Sequence, residues 1–171
     1  MITHFCPECW KEVTAGEVYC PYCGSSLRRE DEEFVAKLIA AIRHPEPTRA
    51  SMAIYVLGKL MDRRAIEPLI VLLESGAGDQ YVRRDAAELL GQFADRRALP
   101  ALRRLLIDES SLLVTRLAAV EALAQIGGPE ADIALRTALE DNSPTVRRSA
   151  WAKLTGAVGA QAGNVRGAGS S

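Results

Sequence analysis

Beyond residue 23 the 171-residue chain contains no cysteine, and its only histidines are His4 and His44. Secreted domains stapled by disulfides seldom confine their cysteines to one end, so this distribution points to a reducing compartment, the cytoplasm. Aromatics are scarce at 5%, while alanine and leucine dominate, a combination that favours helices. No apolar run approaches the roughly 20 residues needed to span a bilayer. Residues 1–5 lack the basic start and the apolar stretch of a signal peptide, so no membrane partner is expected. Neither sign of charge prevails: 21 basic residues face 22 acidic ones, for a net charge of -1. That balance supplies no electrostatic reason to expect nucleic acid. The chain also has no phosphate-binding glycine loop, no Ser-His-Asp set and no cysteine nucleophile outside its first segment. His44 stands beside Pro45 and reads as a loop residue rather than a base. These absences exclude the common catalytic classes, and neither an enzyme nor a small-molecule substrate is expected.

What is present divides the chain into segments. Hydrophobic residues at 48% and charged residues at 25% describe a folded globular protein. Residues 1–27 hold all four cysteines. Residues 28–33 are a charged run, either a hinge or the start of the first helix. Residues 34–158 are helical repeats, and residues 159–171, rich in glycine and alanine, suit a flexible tail.

The middle segment repeats itself. Leu57-Gly58 superimposes on Leu90-Gly91, which carries Asp62-Arg63-Arg64-Ala65 onto Asp95-Arg96-Arg97-Ala98 at a spacing of 33 residues. The same step brings Ala86 onto Ala119 and Leu102 onto Leu135. Each unit reads as two helices. In the first, a small residue precedes leucine by four positions: Ala53/Leu57, Ala86/Leu90, Ala119/Leu123 and Ala150/Leu154. Residues four apart share a helical face, and alanine there admits a neighbouring backbone. The second helix repeats Leu69/Leu72/Leu73 as Leu102/Leu105/Leu106 and Leu135/Ala138/Leu139. Leu38/Ala41/Ile42 shows this pattern with no first helix before it, and residues 145–158 form a first helix with no second. The expectation is about seven helices in three full units and two halves. Asp62 and Asp95 suit helix caps, and Gly127-Gly128-Pro129 makes the corresponding turn in the third unit.

The period, the phrase Ala86-Ala87-Glu88-Leu89-Leu90-Gly91, the Asp-Arg-Arg-Ala turn and the starts Val82-Arg83 and Val146-Arg147 resemble HEAT repeats. They are most similar to the short version of phycobilisome lyase-type proteins. The resemblance implies an all-α, right-handed α-α superhelix, a HEAT-like solenoid, and it covers residues 32–158. Fold alone does not assign function. The His-Glu pairs that would carry di-iron hydroxylase chemistry in some HEAT-like enzymes do not occur on these repeats.

The cysteines form two Cys-x-x-Cys pairs, Cys6/Cys9 and Cys20/Cys23, separated by ten residues. Each pair suits a tight turn around one side of a tetrahedral ion. Val13, Val18 and Tyr19 suit a short hairpin turning at Ala15-Gly16, and Gly24 stands where a positive φ is often wanted. The segment resembles a compact zinc ribbon in which four thiolates fill the coordination sphere of a structural Zn2+. A rubredoxin-like iron centre and two disulfides remain alternatives, and His4 is a competing ligand. The segment's core would consist of only Phe5, Trp10, Val13, Val18, Tyr19 and Tyr22, so metal binding and folding should be coupled.

The surface carries two further features. Arg63/Arg64, Arg83/Arg84 and Arg96/Arg97 either form a basic ladder or pair with Asp62, Asp85, Asp95 and Glu88. The ridge of second helices offers Glu67, Glu74, Arg103, Arg104, Arg136, Thr137 and Glu140, a mixed set suited to a polar protein partner. Trp151 either caps the last unit beneath the tail or stands as an exposed anchor. The functional expectation is an adaptor or assembly factor that binds another protein. A nucleic-acid or ribosome-associated zinc ribbon and an auxiliary bilin lyase-like subunit are the alternatives.

Overall fold

The computed structural model describes residues 3–6, 8–14, 17–25, 27, 31–76 and 78–163. Pro7, the Ala15-Gly16 turn, residues 28–30 of the charged run and residues 164–171 of the expected tail lie outside the described residues. Two short strands, β1 (Thr3–Phe5) and β2 (Glu12–Thr14), precede eight helices. These are α1 (Asp31–Ala41), α2 (Pro47–Leu60), α3 (Ile66–Glu74), α4 (Gln80–Phe93), α5 (Leu99–Ile107), α6 (Leu113–Ile126), α7 (Pro129–Thr137) and α8 (Pro144–Gly163). Helices α2–α3, α4–α5 and α6–α7 are the three full units, with α1 and α8 as the halves, so the count among the described residues is eight rather than about seven. Helix α8 runs five residues into the stretch 159–171 expected as a tail. Alanines at positions 157, 160 and 162 favour the helix there.

Each turn between paired helices has a local cause. The Asp62 carboxylate accepts from the Arg64 N–H at 3.0 Å, and Asp95 accepts from Arg97 N–H at the same distance. Both side chains satisfy donors at the start of short 3-10 turns (Arg63–Ala65 and Arg96–Ala98) that lead into α3 and α5. Before each aspartate the chain takes a left-handed residue, Met61 at φ 49° and Ala94 at φ 50°. In the third unit Gly127 at φ 66° and Gly128 at φ 89° make the turn without an Asx cap. Pro47 occupies the first turn of α2, where its missing N–H costs nothing.

The small-residue pairs lie where helices meet. Ala53, Leu57, Ala86, Leu90, Ala119, Leu123 and Ala150 are fully buried. At Gly91 the backbones of α4 and α6 approach closely. A Cβ added at Gly91 would stand 2.8 Å from Ala122 Cα and 2.4 Å from Gln125 Oε1. Leucines of the second helices, including Leu69, Leu102 and Leu106, fill the same continuous core. Stacking is thus what buries each pair's apolar stripe, as repeat architecture requires.

The hairpin differs from the expected one. β2 pairs antiparallel with β1, matching Phe5 with Glu12 and Thr3 with Thr14, so the ladder closes around the first Cys-x-x-Cys loop. The chain before Cys6 supplies the partner strand. Of the apolar residues expected to fill this segment, only Val13 is buried within it, beside Cys6 and Cys20. Val18, Tyr19 and Tyr22 are exposed, and Phe5 and Trp10 pack on the repeat core instead.

Candidate metal centre and repeat surface

The two cysteine loops have the same backbone plan. The Cys6 N–H donates to Lys11 O at 3.0 Å and the Trp10 N–H to Cys6 O at 2.8 Å. In the second loop Cys20 N–H reaches Ser25 O at 2.8 Å and Gly24 N–H reaches Cys20 O at 2.9 Å. Each turn needs a left-handed residue directly after its second cysteine. Gly24 fills that place at φ 74° and Trp10 at φ 59°. The tryptophan adopts a conformation that costs an L-residue about 1 kcal/mol or more.

These loops bring four thiols together. The Sγ atoms of Cys6, Cys9, Cys20 and Cys23 all lie within 4.8 Å of one another. Cys6–Cys23 and Cys9–Cys20 are both 3.6 Å apart. A tetrahedral ion with metal–sulfur bonds near 2.3 Å sets its sulfurs about 3.8 Å apart, so the donor set and spacing fit such an ion. None of the four is in a disulfide in this structure. The His4 side chain lies outside the described residues.

The electrostatics also ask for a cation. Ser25 Oγ stands 3.2 Å from both Cys6 Sγ and Cys23 Sγ. Its hydroxyl, then its backbone N–H, pulls Cys23 down to about 6. Desolvation opposes ionisation of Cys6, but the Ser25 hydroxyl and the N–H groups of Cys9 and Glu8 outweigh it and lower that thiol. The Lys11 N–H favours the Cys9 thiolate, yet desolvation and the neighbouring Cys23, Cys20 and Cys6 sulfurs push Cys9 up to about 12. Four thiolates cannot share this space alone, and a central cation removes their mutual repulsion.

The cysteine segment contacts the first helices of the repeats. Phe5 meets Tyr55 of α2 edge to face, with ring centroids 6.4 Å apart and planes at 75°. Glu8 lies 3.5 Å from Lys37 of α1. The segment is docked on the first repeats.

On the repeats, the arginine ladder resolves into pairs. Arg63 reaches Asp95 of the next unit at 2.7 Å, and Arg96 reaches Glu130 of the unit after that at 2.9 Å. Arg64 and Arg97 bond the aspartates of their own turns, and Arg84 bonds Asp85 and Glu88. Arg83 is not on the surface. It is 4% exposed and pairs with Asp108, while Arg116 one unit later is 6% exposed and pairs with Asp141. The repeat period held the signal for this second pair, since both arginine and aspartate recur at 33 residues. Trp151 is 60% exposed, and residues 164–171 of the tail expected to cover it lie outside the described residues.

Glu67, Glu74, Arg103, Arg104, Arg136, Thr137 and Glu140 are all exposed on α3, α5, α7 and the turn that follows α7. Arg104 pairs with Glu74 at 3.2 Å, and Thr137 Oγ1 donates to Ile133 O. His44 closes its own loop, accepting the Glu46 N–H on Nδ1 at 3.0 Å.

Residues 71–154 match the family model for HEAT repeats, residues 50–75 that for the PBS lyase HEAT-like repeat, and residues 5–27 that for the zinc-ribbon domain. No curated protein matches the chain. Among solved structures, human deoxyhypusine hydroxylase in complex with glycerol is similar at 25% identity and a TM-score of 0.63, over 71% of this chain and 42% of that one. The complex of CpcE and CpcF of phycocyanin lyase from Nostoc sp. PCC7120 is similar at 30% identity and a TM-score of 0.58, over 72% of this chain and 52% of that one. The chain therefore spans about half the length of these solved relatives. A docked two-loop cysteine segment, units stacked at a 33-residue period and three matching family models agree: this is a HEAT-repeat protein with an N-terminal zinc-ribbon-like knuckle.

Proposed function

We propose that the chain is a non-enzymatic adaptor or assembly factor that works in the cytoplasm and grips a protein partner through the outer face of its second helices. The observation that carries this reading is a pair of unanswered charges. Of the exposed repeat arginines, Arg43, Arg103, Arg136 and Arg148 have no ion pair among the described residues, and Arg103 and Arg136 are the two of these on second helices. They stand 33 residues apart on the neighbouring helices α5 and α7, with the exposed apolar residues Ile107 and Ile133 close by in sequence. Arginines flanked by apolar surface are the usual composition of an interface centre. Glu67, Glu74, Arg104, Thr137 and Glu140 form the polar rim. The four thiolates hold zinc in a structural role, because a filled coordination sphere leaves no position for water or substrate.

The solved phycocyanin lyase complex favours one specific alternative, an auxiliary subunit of a bilin lyase-like assembly. A nucleic-acid role through the ribbon has less support, since among the described residues Lys11 over the Tyr22 ring is the one cation set against its exposed aromatics. One experiment separates the three. The tagged protein is captured from its native cytoplasm beside an Arg103→Glu/Arg136→Glu variant and an Arg96→Glu control. A stoichiometric protein retained by the control and lost by the double variant supports the adaptor reading. Visible absorbance acquired with bilin favours the lyase subunit. Recovery of nucleic acid that depends on the cysteines would sink both.

A further inference from the structure

The two cysteine loops share a backbone plan, yet they face different surroundings. Phe5, Glu8 and Trp10, which join the knuckle to the repeats, all belong to the first loop and its edge. Phe5, just before Cys6, lies against Tyr55. Glu8, between the first two cysteines, reaches Lys37. Trp10, directly after Cys9, packs against the repeat core. The second loop turns outward, leaving Tyr19 and Tyr22 more than half exposed.

Trp10 is the most informative of these residues. At the equivalent place the second loop uses Gly24, the residue that takes φ 74° without strain. The first loop holds a tryptophan at φ 59°, with its N–H fixed to Cys6 O. A side chain tolerated in the left-handed region is held there by its surroundings, here the packing of the indole on the helices. The metal loop thus aims this ring, and the ring has no other route to the repeats.

These contacts fall on α1 and α2, the two helices that open the stack. Leu89 of α4 and Ala122 of α6 each face the helix of the unit before, near Gly58 and Gly91. Val56 is their counterpart in α2, and no first-type helix precedes α2 among the described residues. Val56 is nevertheless only 8% exposed. An apolar end face must be covered for a repeat stack to be stable.

We propose that the metal-loaded knuckle is the capping element of the repeat stack, with Trp10 and Phe5 as its capping side chains. This is a further function of the four-cysteine site, directed at the chain's own helices rather than at a partner. It does not depend on the adaptor reading. Loading the site shapes the first loop, and the shaped loop places Trp10 and Phe5 on α1 and α2. Stripping the metal releases both rings and uncovers the cleft of about 560 Å3 that Phe5 walls together with Met52, Tyr55 and Leu89.

The test uses the full chain with Trp151→Phe, so that Trp10 is the only tryptophan. Helix melting by circular dichroism and Trp10 fluorescence are followed with zinc and with chelator. Chelation is expected to lower the helix melting temperature by roughly 5 °C and to shift Trp10 emission to the red. Cys20→Ser/Cys23→Ser, which alters only the outward loop, should reproduce the stripped state. Trp10→Gly keeps the left-handed turn and Tyr55→Ala leaves the knuckle untouched. Each should lower the melting temperature of the loaded protein and shrink the metal-dependent shift by half or more. Helices that melt at the same temperature with and without metal would overturn the proposal. So would a metal-dependent shift of full size in both Trp10→Gly and Tyr55→Ala.

Discussion

Arg116 of α6 is bound at two ends: its Nε donates to Leu106 O at 2.8 Å, the last turn of α5, and its Nη2 meets Asp141 beyond α7. One buried guanidinium thereby joins a helix terminus of one unit to the exit loop of the next. Arg83 repeats the pairing 33 residues earlier with Asp108 at 3.5 Å, but its Nε finds no acceptor among the described residues. The two sites have the same residues and unequal satisfaction, and their energetics should differ accordingly.

Arg116→Ala should destabilise the protein by about 3–5 kcal/mol, because it leaves the Asp141 carboxylate buried without its partner. Asp141→Asn should be milder, since the amide still accepts a hydrogen bond. Arg83→Met should be close to neutral, as an apolar side chain of similar length replaces an incompletely paired ion. Denaturant unfolding of the three variants checks the order. Equal losses at Arg83 and Arg116 would refute the distinction.

Gly91 and Gly58 occupy matching positions and should respond differently to alanine. Alanine favours each helix by about 1 kcal/mol. At Gly91 the new methyl would meet Ala122 Cα at 2.8 Å, a backbone atom that cannot swing aside. At Gly58 it would meet Leu89 Cδ1 at 3.1 Å, the end of a flexible side chain. Gly91→Ala should cost about 1–3 kcal/mol from overpacking against α6, while Gly58→Ala should lie near zero. Thermal melts of the two variants compare them directly.

Ser25 should tune the metal site without being a ligand. Its hydroxyl lies 3.2 Å from two of the sulfurs and favours their ionised forms. Ser25→Ala should weaken metal binding by about 10-fold, as loss of a supporting hydrogen bond does at other thiolate and imidazole sites. Affinity should also fall with pH in both proteins as protons compete for the thiolates. Competition against a metal-sensitive dye measures both effects, and an unchanged affinity in Ser25→Ala would assign the hydroxyl no role.

Two turn aspartates should make the fold acid-sensitive. The Arg97 side chain and N–H hold Asp95 at about 2. The Ser110 and Ser111 hydroxyls, with Arg83 further off, hold Asp108 at about 2. In an unfolded chain both would titrate near 3.9. Folded values below unfolded ones mean that the stabilisation is complete above about pH 5 and is lost as pH falls through about 4 toward 2. Asp95→Asn/Asp108→Asn should be less stable than the parent at about pH 6 and should lose less on acidification. Parallel decline of the two melting temperatures between about pH 5 and 3 would contradict this.

The sequence alone determined the repeat units and the four-cysteine cluster, because both follow from spacing. A 33-residue step with alanine four before leucine specifies which faces stack, and two Cys-x-x-Cys pairs specify where an ion fits. Asp62 and Asp95 were legible as caps for the same reason, since a cap acts within three residues of itself. Tertiary structure decided what depends on neighbours distant in sequence. Phe5 and Trp10 read as knuckle core but belong to the repeat core, since only the assembled stack presents a flank for them. Arg83 read as a surface rung but is buried, because Asp108, 25 positions on, is what permits its charge inside. The hairpin partner of β2 was likewise hidden, since β1 carries no turn signal of its own and the loop between the strands is shaped by the cysteines. Trp151 occupies the register of Ile54, Ala87 and Val120, which are buried by following helices, and its exposure is a property of the stack rather than of the residue.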